Sequence, residues 1–438
     1  MLKPQSISAL SPETWPFALE LLPRDAYLVG GAVRDALLGR QSEYLDLDFV
    51  LPEKALRTAR QIADRYKAGF VVLDAKRKIA RVVFKDATAD FAKQEGANLE
   101  ADLRRRDYTI NAIAYHPQTG EFIDPLGGRE DLQRRLLRMV SPTNLADDPL
   151  RLLRAYRQAA QLDFAIDSQT EAAIGQLAPM LCQIAAERVR MEFSYLLDTA
   201  LGDRWLGAAW QNGLLQYWFP SATKDSLARV ASIETAAATL GENWPQLKTE
   251  LSQNLRDRLK IPSYLFAARL ACLLSPEINE AEMQLMRLKF SRAEIGAALR
   301  LLRSRQMLLS MLEPNRETTA KVTGETTGET TGETSKTRRQ YFLFREVGPM
   351  FPALAVLAIA GKIPIEAISQ LCDRYLNRQD PVAHPVPLVA GKEIMAALEI
   401  PRGPEVGRLL TEIQLARCEG LISTPEEALE FARKALIE

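Results

Sequence analysis

Between residues 27 and 125 the apolar positions switch repeatedly between two periods. AYLV reads as a strand, AVRDALLG as the start of a helix, and YLDLDFVL as a strand in which Leu45, Leu47 and Phe49 alternate with Asp46, Asp48 and Val50. Residues 53–67 have helical spacing. GFVVLDA and IARVVFKD flank the basic turn KRK as two strands, and TADFA is a candidate for one more. LEADLRRRDYTINAIAYH predicts a helix, with Leu103, Ile110 and Ile113 on one side. Several of these connections are too short for a crossover helix, so the sheet is expected to be mixed or antiparallel.

From about residue 141 the strand signals fade and one helical pattern follows another, rich in Leu, Ala and Arg. The fold class expected is α+β: a small mixed or antiparallel sheet domain over 1–140, then helical segments over 141–200, 201–313 and 338–438. Residues 314–337 contain TGETTGETTGET, polar, β-branched and without an apolar face. They are read as a disordered linker.

Composition narrows the chemistry. The 438 residues are 47% hydrophobic and 26% charged, with 56 basic and 56 acidic side chains and so no net charge. A nucleic-acid partner must therefore be held by local clusters, not by a field over the whole chain. The sequence has no run of about 18 apolar residues and no basic, apolar leader pattern, so neither a membrane span nor a secretory signal is expected. Cys182, Cys272, Cys372 and Cys418 are far apart and none forms a CxxC, which points to buried free thiols in a cytoplasmic protein. With only two histidines, His116 and His384, carboxylate or metal chemistry gains over histidine catalysis.

The carboxylates sit where such chemistry needs them. The period of two puts Asp46 and Asp48 on one face of their strand. Two like charges that close repel, and a divalent cation relieves them; Mg²⁺ takes one or two carboxylates together with substrate phosphates. A solvated edge strand is the alternative. Asp90 joins the pair if the TADFA strand lies beside theirs; otherwise it is a surface aspartate. Gly30 and Gly31 stand between a strand and a helix start, where the backbone can approach an anion, and Arg34 lies in the first turn. A tight turn without a ligand is the other reading.

LVGGAVRD followed by DLD resembles the nucleotidyltransferase signature of the class II tRNA nucleotidyltransferase and bacterial poly(A) polymerase family. DLRRRDYTINAIA, DPLGGREDL, DDPLRLLRA and ERVRME follow in the family's order, over about residues 25–195. The resemblance implies a catalytic head followed by a helical neck, body and tail that hold tRNA, with two Mg²⁺ ions at Asp46 and Asp48. It implies that Arg105, Arg106, Asp107 and Asn111 bind ribose and triphosphate. It implies that Asp148 and Arg151 present a protein edge to the incoming base, with ERVRME as a buttress and Gly127-Gly128 as a hinge. Asp147 stands where the family usually has Glu. Arg154 and Arg157 continue the arginine series toward phosphates.

The same resemblance bears on product length. The family carries a flexible loop between the metal strands and the RRD motif, longer in members that add A. Here only AKQEGANLEA fills that interval. A CC-adding enzyme using CTP is expected, with a separate A-adding enzyme completing the tRNA end; complete CCA addition with CTP and ATP is the alternative. The segment LVAGKEIMAALEIPRGPEVGRLL resembles a tail element whose Lys392, Arg402 and Arg408 meet tRNA phosphates.

Overall fold

The computed structural model describes residues 8–40, 44–199, 201–251, 263–312 and 332–437. The chain divides into two compact units, Met1–Tyr217 and Trp218–Glu438.

The first unit opens with an N-terminal segment whose Trp15 and Phe17 pack against Phe49 and Phe91 of the sheet. Its strands are β1 (Tyr27–Val29), β2 (Leu45–Leu51), β3 (Gly69–Asp74), β4 (Ile79–Val83), β5 (Ala87–Lys93), β6 (Ala114–Tyr115) and β7 (Phe122–Ile123). They form one sheet in the order β3-β4-β5-β2-β1-β6-β7. All neighbours run antiparallel except β2 and β5, so the sheet is mixed. Helix α1 (Gly31–Leu37) follows β1, and α2 (Ala55–Tyr66) lies between β2 and β3. On β2, Leu45, Leu47 and Phe49 are buried while Asp46 and Asp48 take the opposite face, as the alternation requires.

The helix predicted through LEADLRRRDYTINAIAYH is not continuous. Helix α3 spans only Leu99–Leu103, a single 3₁₀ turn covers Thr109–Asn111, and the segment ends in β6. Backbone pairing explains the break. Thr109 N–H donates to Arg138 O, and Val140 N–H donates to Asp107 O. Those long-range bonds replace intrahelical ones, and Leu103, Ile110 and Ile113 are buried all the same.

Beyond the sheet come α4 (Gly128–Arg134), α5 (Pro142–Asp147), α6 (Leu150–Leu162), α7 (Ser168–Leu177), α8 (Ala186–Asp198) and α9 (Gly202–Gln211). This region is not entirely helical, because Leu136–Leu137 and Ala165–Ile166 make a short parallel pair. Tyr156 of α6, fully buried, binds Asn212 through its hydroxyl, fixing the end of α9.

The regular structure of the second unit is helical among its described residues. Helices α10 (Lys224–Asn243), α11 (Pro245–Leu251), α12 (Tyr264–Leu273), α13 (Ile278–Arg287) and α14 (Arg292–Leu312) precede α15 (Gly332–Val347) and α16 (Phe351–Ala360). The first part of the expected linker lies outside the described residues, but Gly332 onward is already helix, so the end of the TGET repeat belongs to α15. The helical span Lys336–Ala360, made of α15, a 3₁₀ turn and α16, is long and apolar enough by length and composition to cross a membrane, which the sequence reading did not expect. The most apolar window of that span is 67% buried within the protein. α16 packs against α10, α12 and α14, so its apolar residues make the core of this unit. Helices α17 (Ile365–Leu376), α18 (Gly391–Leu398), α19 (Pro404–Cys418) and α20 (Pro425–Ile437) complete it, the last three around Ile394, Leu409 and Ile413. All four cysteines are free; Cys272 and Cys372 are buried as expected, whereas Cys182 is exposed.

Candidate active site

The carboxylates gather on one face of the mixed sheet. In the β2–β5 register Asp48 stands opposite Asp90, and Asp46 opposite Thr88. Adjacent strands lie about 4.8 Å apart, so these side chains are close neighbours. Asp46 is exposed and accepts a 2.5 Å hydrogen bond from Thr88 Oγ1. Asp90 is held by a two-pronged ion pair, Arg81 Nε to Oδ1 at 2.7 Å and Nη2 to Oδ2 at 2.8 Å. Burial pushes the Asp48 carboxyl up to about 7, and the charges of Asp46 and Asp90 push the same way against the weaker opposing pull of Arg106 and Arg81. The face thus carries more negative charge than its own arginines neutralise.

The glycine turn borders this face. Gly30 has φ +73°, and a Cβ there would lie 3.2 Å from Asp48 Oδ2 and 3.4 Å from Arg106 Nη1. Only glycine leaves that space open. Gly31 begins α1, and a cleft lined by Gly31, Arg34, Asp46 and Asp48 opens beside it. Arg34 does not project into it as a free cation. Its guanidinium binds both oxygens of Asp35 at 2.9 Å and donates to Asn111 Oδ1 at 2.8 Å.

A second cleft, of about 470 Å³, has Arg106 in its wall. Arg77, Glu95, Arg105, Arg106, Asp147, Asp148, Arg151 and Arg188 line it, with Val50, Ile79 and Ile184 as apolar walls. Arg106 binds Asp102 at 3.2 Å, while its Nε is buried with no hydrogen-bond partner among the described residues. A buried orphan donor at a cleft wall is the kind of group a polyanion satisfies. Arg105 is 60% exposed and reaches Glu95 at 3.0 Å.

Asp148 and Arg151 do not pair with each other, although Arg151 N–H donates to Asp148 O at the start of α6. The Asp148 carboxylate accepts from Arg188 of α8 at 2.9 and 3.2 Å. Arg151 Nη1 donates to the carbonyls of Arg105 and Asn144, both at 2.9 Å, and its own carbonyl accepts from Tyr108 Oη at 2.6 Å. An acceptor and a donor group are thus set side by side at the cleft, each oriented by a different neighbour.

Behind them is a network that the sequence placed elsewhere. Asp107 is buried and accepts from Tyr108 N–H, Asn111 Nδ2 and Arg154 at 2.9–3.1 Å. Burial opposes its ionisation, yet Arg154, Asn111 and the Tyr108 N–H outweigh it and hold the carboxyl down at about 2. Asn111 also donates to Gln158. Arg154 reaches Glu192 at 3.7 Å, and Arg157 Nε donates to Glu192 at 2.5 Å. Asp107 thus joins Asn111 to Arg154, and Glu192 joins Arg154 to Arg157.

The DPLGGREDL segment is packed rather than loose. Asp124 caps the N–H groups of Gly128 and Arg129, and a Cβ on Gly128 would lie 2.2 Å from Thr109 O. Asp131, buried in α4, accepts from Thr109 Oγ1 and Arg138. In the second unit Lys392 and Arg402 are exposed, while Arg408 pairs with Glu405 at 2.7 Å. Sequence reasoning missed Arg81, Thr88 and Tyr108. Arg81 and Thr88 lie within strands that it did identify, so strand register was the missing piece.

Similarity to known proteins agrees with this arrangement. Residues 26–138 match the family described as "Poly A polymerase head domain", and residues 163–225 match "Probable RNA and SrmB- binding site of polymerase A". The chain is 47% identical over 438 residues to the CC-adding tRNA nucleotidyltransferase of Synechocystis sp., covering 99% of each chain. It is 32% identical to the A-adding tRNA nucleotidyltransferase of Deinococcus radiodurans, over 94% of this chain and 96% of that one. A solved structure, "The complex structure of CCA-adding enzyme with CTP", superposes with a TM-score of 0.68 at 24% identity, covering 94% and 91% of the two chains, and so shares the fold. The chain belongs to the class II tRNA nucleotidyltransferase and poly(A) polymerase family.

Proposed function

We propose that this protein adds two CMP residues to the 3′ end of tRNA, using CTP, releasing pyrophosphate and needing no nucleic-acid template. The observation that carries the restriction to CC is the connection between β5 and α3. It consists of residues 94–98 only. Gln94 N–H donates to Leu51 O, Glu95 N–H donates to Asp102 Oδ1, and Asn98 caps α3. Gly96 turns at φ +87° against Ala101. A connection this short, and bonded at both ends, has little slack with which to rebuild the cleft for a second nucleotide. A separate A-adding enzyme would then complete the end in the same cytoplasm.

Asp46 and Asp48 would hold Mg²⁺, and the crowded, incompletely neutralised acid face of β2 and β5 suits such an ion. Bound there, the ions would favour ionisation of the tRNA 3′-hydroxyl and neutralise charge on the triphosphate. The chain's own groups do the rest. Arg106, with its orphan Nε, and the exposed Arg105 bind phosphate oxygens. Asp148 accepts from the cytosine N4 amine, and Arg151 donates to its N3 and O2; uracil, with an acceptor at position 4, mismatches that edge. Arg188 holds the Asp148 carboxylate in place until the base arrives. Asp107 keeps Arg154 and the start of α6 fixed beneath the cleft. Lys392, Arg402 and Arg408 contribute sequence-independent phosphate contacts to the tRNA.

The test is extension of tRNA lacking its last three nucleotides with CTP alone, ATP alone, or both. Addition of two nucleotides and no more, with both present, is expected. A third residue, AMP, would establish complete CCA addition and overturn the narrower reading.

A further inference from the structure

Three strands lay a line of charge across the catalytic face. Arg81 on β4 is opposite Asp90 on β5, which is opposite Asp48 on β2. Two residues along, Val83, Thr88 and Asp46 form the parallel line. With a strand period of two, both lines are on the same face. Each acid therefore keeps different company. Among the described residues Asp46 accepts only a neutral hydroxyl, at 2.5 Å. Asp48 faces the glycine turn. Asp90 alone is gripped by a guanidinium through both oxygens, at 2.7 and 2.8 Å.

We propose that Arg81 is a positioning residue that withholds Asp90 from the metal seat, so that Asp46 and Asp48 alone define it. This rests on the nucleotidyl-transfer reading of those two aspartates. The parallel fork occupies both Asp90 oxygens in the plane where a cation would take them. It also fixes a positive charge beside any ion that approached Asp90. The grip is geometrically secure because β4 is paired on both edges, by β3 and β5. The Arg81 side chain is 38% exposed, so shortening it opens no core cavity. A pair that merely staples two strands predicts unchanged ion affinity in Arg81→Lys, which keeps the charge; one that withholds a carboxylate predicts tighter binding there too.

The experiment is titration of the full chain with Mn²⁺ in the absence of nucleotide, with free Mn²⁺ read by electron paramagnetic resonance. Arg81→Gln frees Asp90 and removes a neighbouring cation, so Mn²⁺ is expected to bind at least fivefold more tightly than in the wild type. Asp90→Asn leaves the Arg81 cation to turn toward Asp46 and Asp48, and at least threefold weaker binding is expected. Arg81→Lys, which keeps the charge but loses the fork, should tighten binding by a smaller factor and serves if the glutamine variant fails to fold. Unchanged or weaker Mn²⁺ binding in the Arg81 variants overturns the proposal. If an Asp46→Asn, Asp48→Asn double variant binds Mn²⁺ as tightly as the wild type, the nucleotidyl-transfer reading of the pair fails instead.

Discussion

Asp48 and Asp107 are both carboxylates taken out of water in the same unit, and they behave in opposite ways. Asp48 is pushed up to about 7 and Asp107 is held down at about 2. Burial acts against ionisation in both. The difference lies in what surrounds them. Asp48 has two further acids for neighbours, whereas Asp107 has Arg154, Asn111 and a backbone N–H aimed at it. A carboxylate that the protein satisfies by itself is structural. A carboxylate that the protein crowds with like charge is waiting for something from outside.

The sharpest break of this comparison is a pair of substitutions that remove each charge. Asp48→Asn should cut CMP incorporation by about a thousandfold or more, equivalent to about 4 kcal/mol of transition-state stabilisation, with the fold intact. Single-turnover labelling alongside a thermal melt measures both; a loss below tenfold would remove Asp48 from the chemistry. Asp107→Ala should do the reverse, costing about 2–3 kcal/mol in urea unfolding because it removes the buried acceptor of Arg154, Asn111 and the Tyr108 N–H. A cost under 1 kcal/mol would show that the network is idle.

A subtler test uses pH. Asp107 has a folded value near 2 against an ordinary value of 3.8, so its contribution is present in full above about pH 5. That contribution drains away as pH falls through 4 toward 2, by up to about 2 kcal/mol. The stability gap between the wild type and Asp107→Asn, followed by urea titration from pH 6 to 3, should therefore shrink only on the acid side. A gap that is constant across that range would contradict the assignment. The smallest effect is expected at Arg188→Gln. Its pair with Asp148 is half exposed, so stability should move by less than about 1 kcal/mol. Discrimination between CTP and UTP, measured as a ratio of kcat/KM, should nonetheless fall severalfold; an unchanged ratio would mean that Asp148 needs no help.

Much of the acid face was legible because it obeys a local rule. Alternation in YLDLDFVL fixes Asp46 and Asp48 on one side of β2 whatever the strand pairs with. Strand neighbours do not follow from alternation, which is why Asp90 was open until the β2–β5 register set it opposite Asp48. The spacing of Leu103, Ile110 and Ile113 mimicked a helix because all three are buried, but backbone bonds from Thr109 and Val140 to residues about 30 positions away broke it. The protein partners of Arg154 and Arg157 were not legible. Their partners, Asp107 and Glu192, lie more than 30 residues off in opposite directions, beyond any periodic signal. At Gly128 the sequence suggested freedom, and the structure shows confinement: the nearest backbone oxygen would be 2.2 Å from a Cβ.

The parallel pairing of β2 with β5 has a consequence for how the molecule comes into being. The two strands can meet only after residues 52–86, with their helix and hairpin, have closed between them. Contacts of that sequence separation form slowly, because the loop entropy is spent before the pairing returns it. The acid face does not exist until that closure. A chain leaving the ribosome would therefore lack the paired carboxylates until the intervening helix and hairpin had folded.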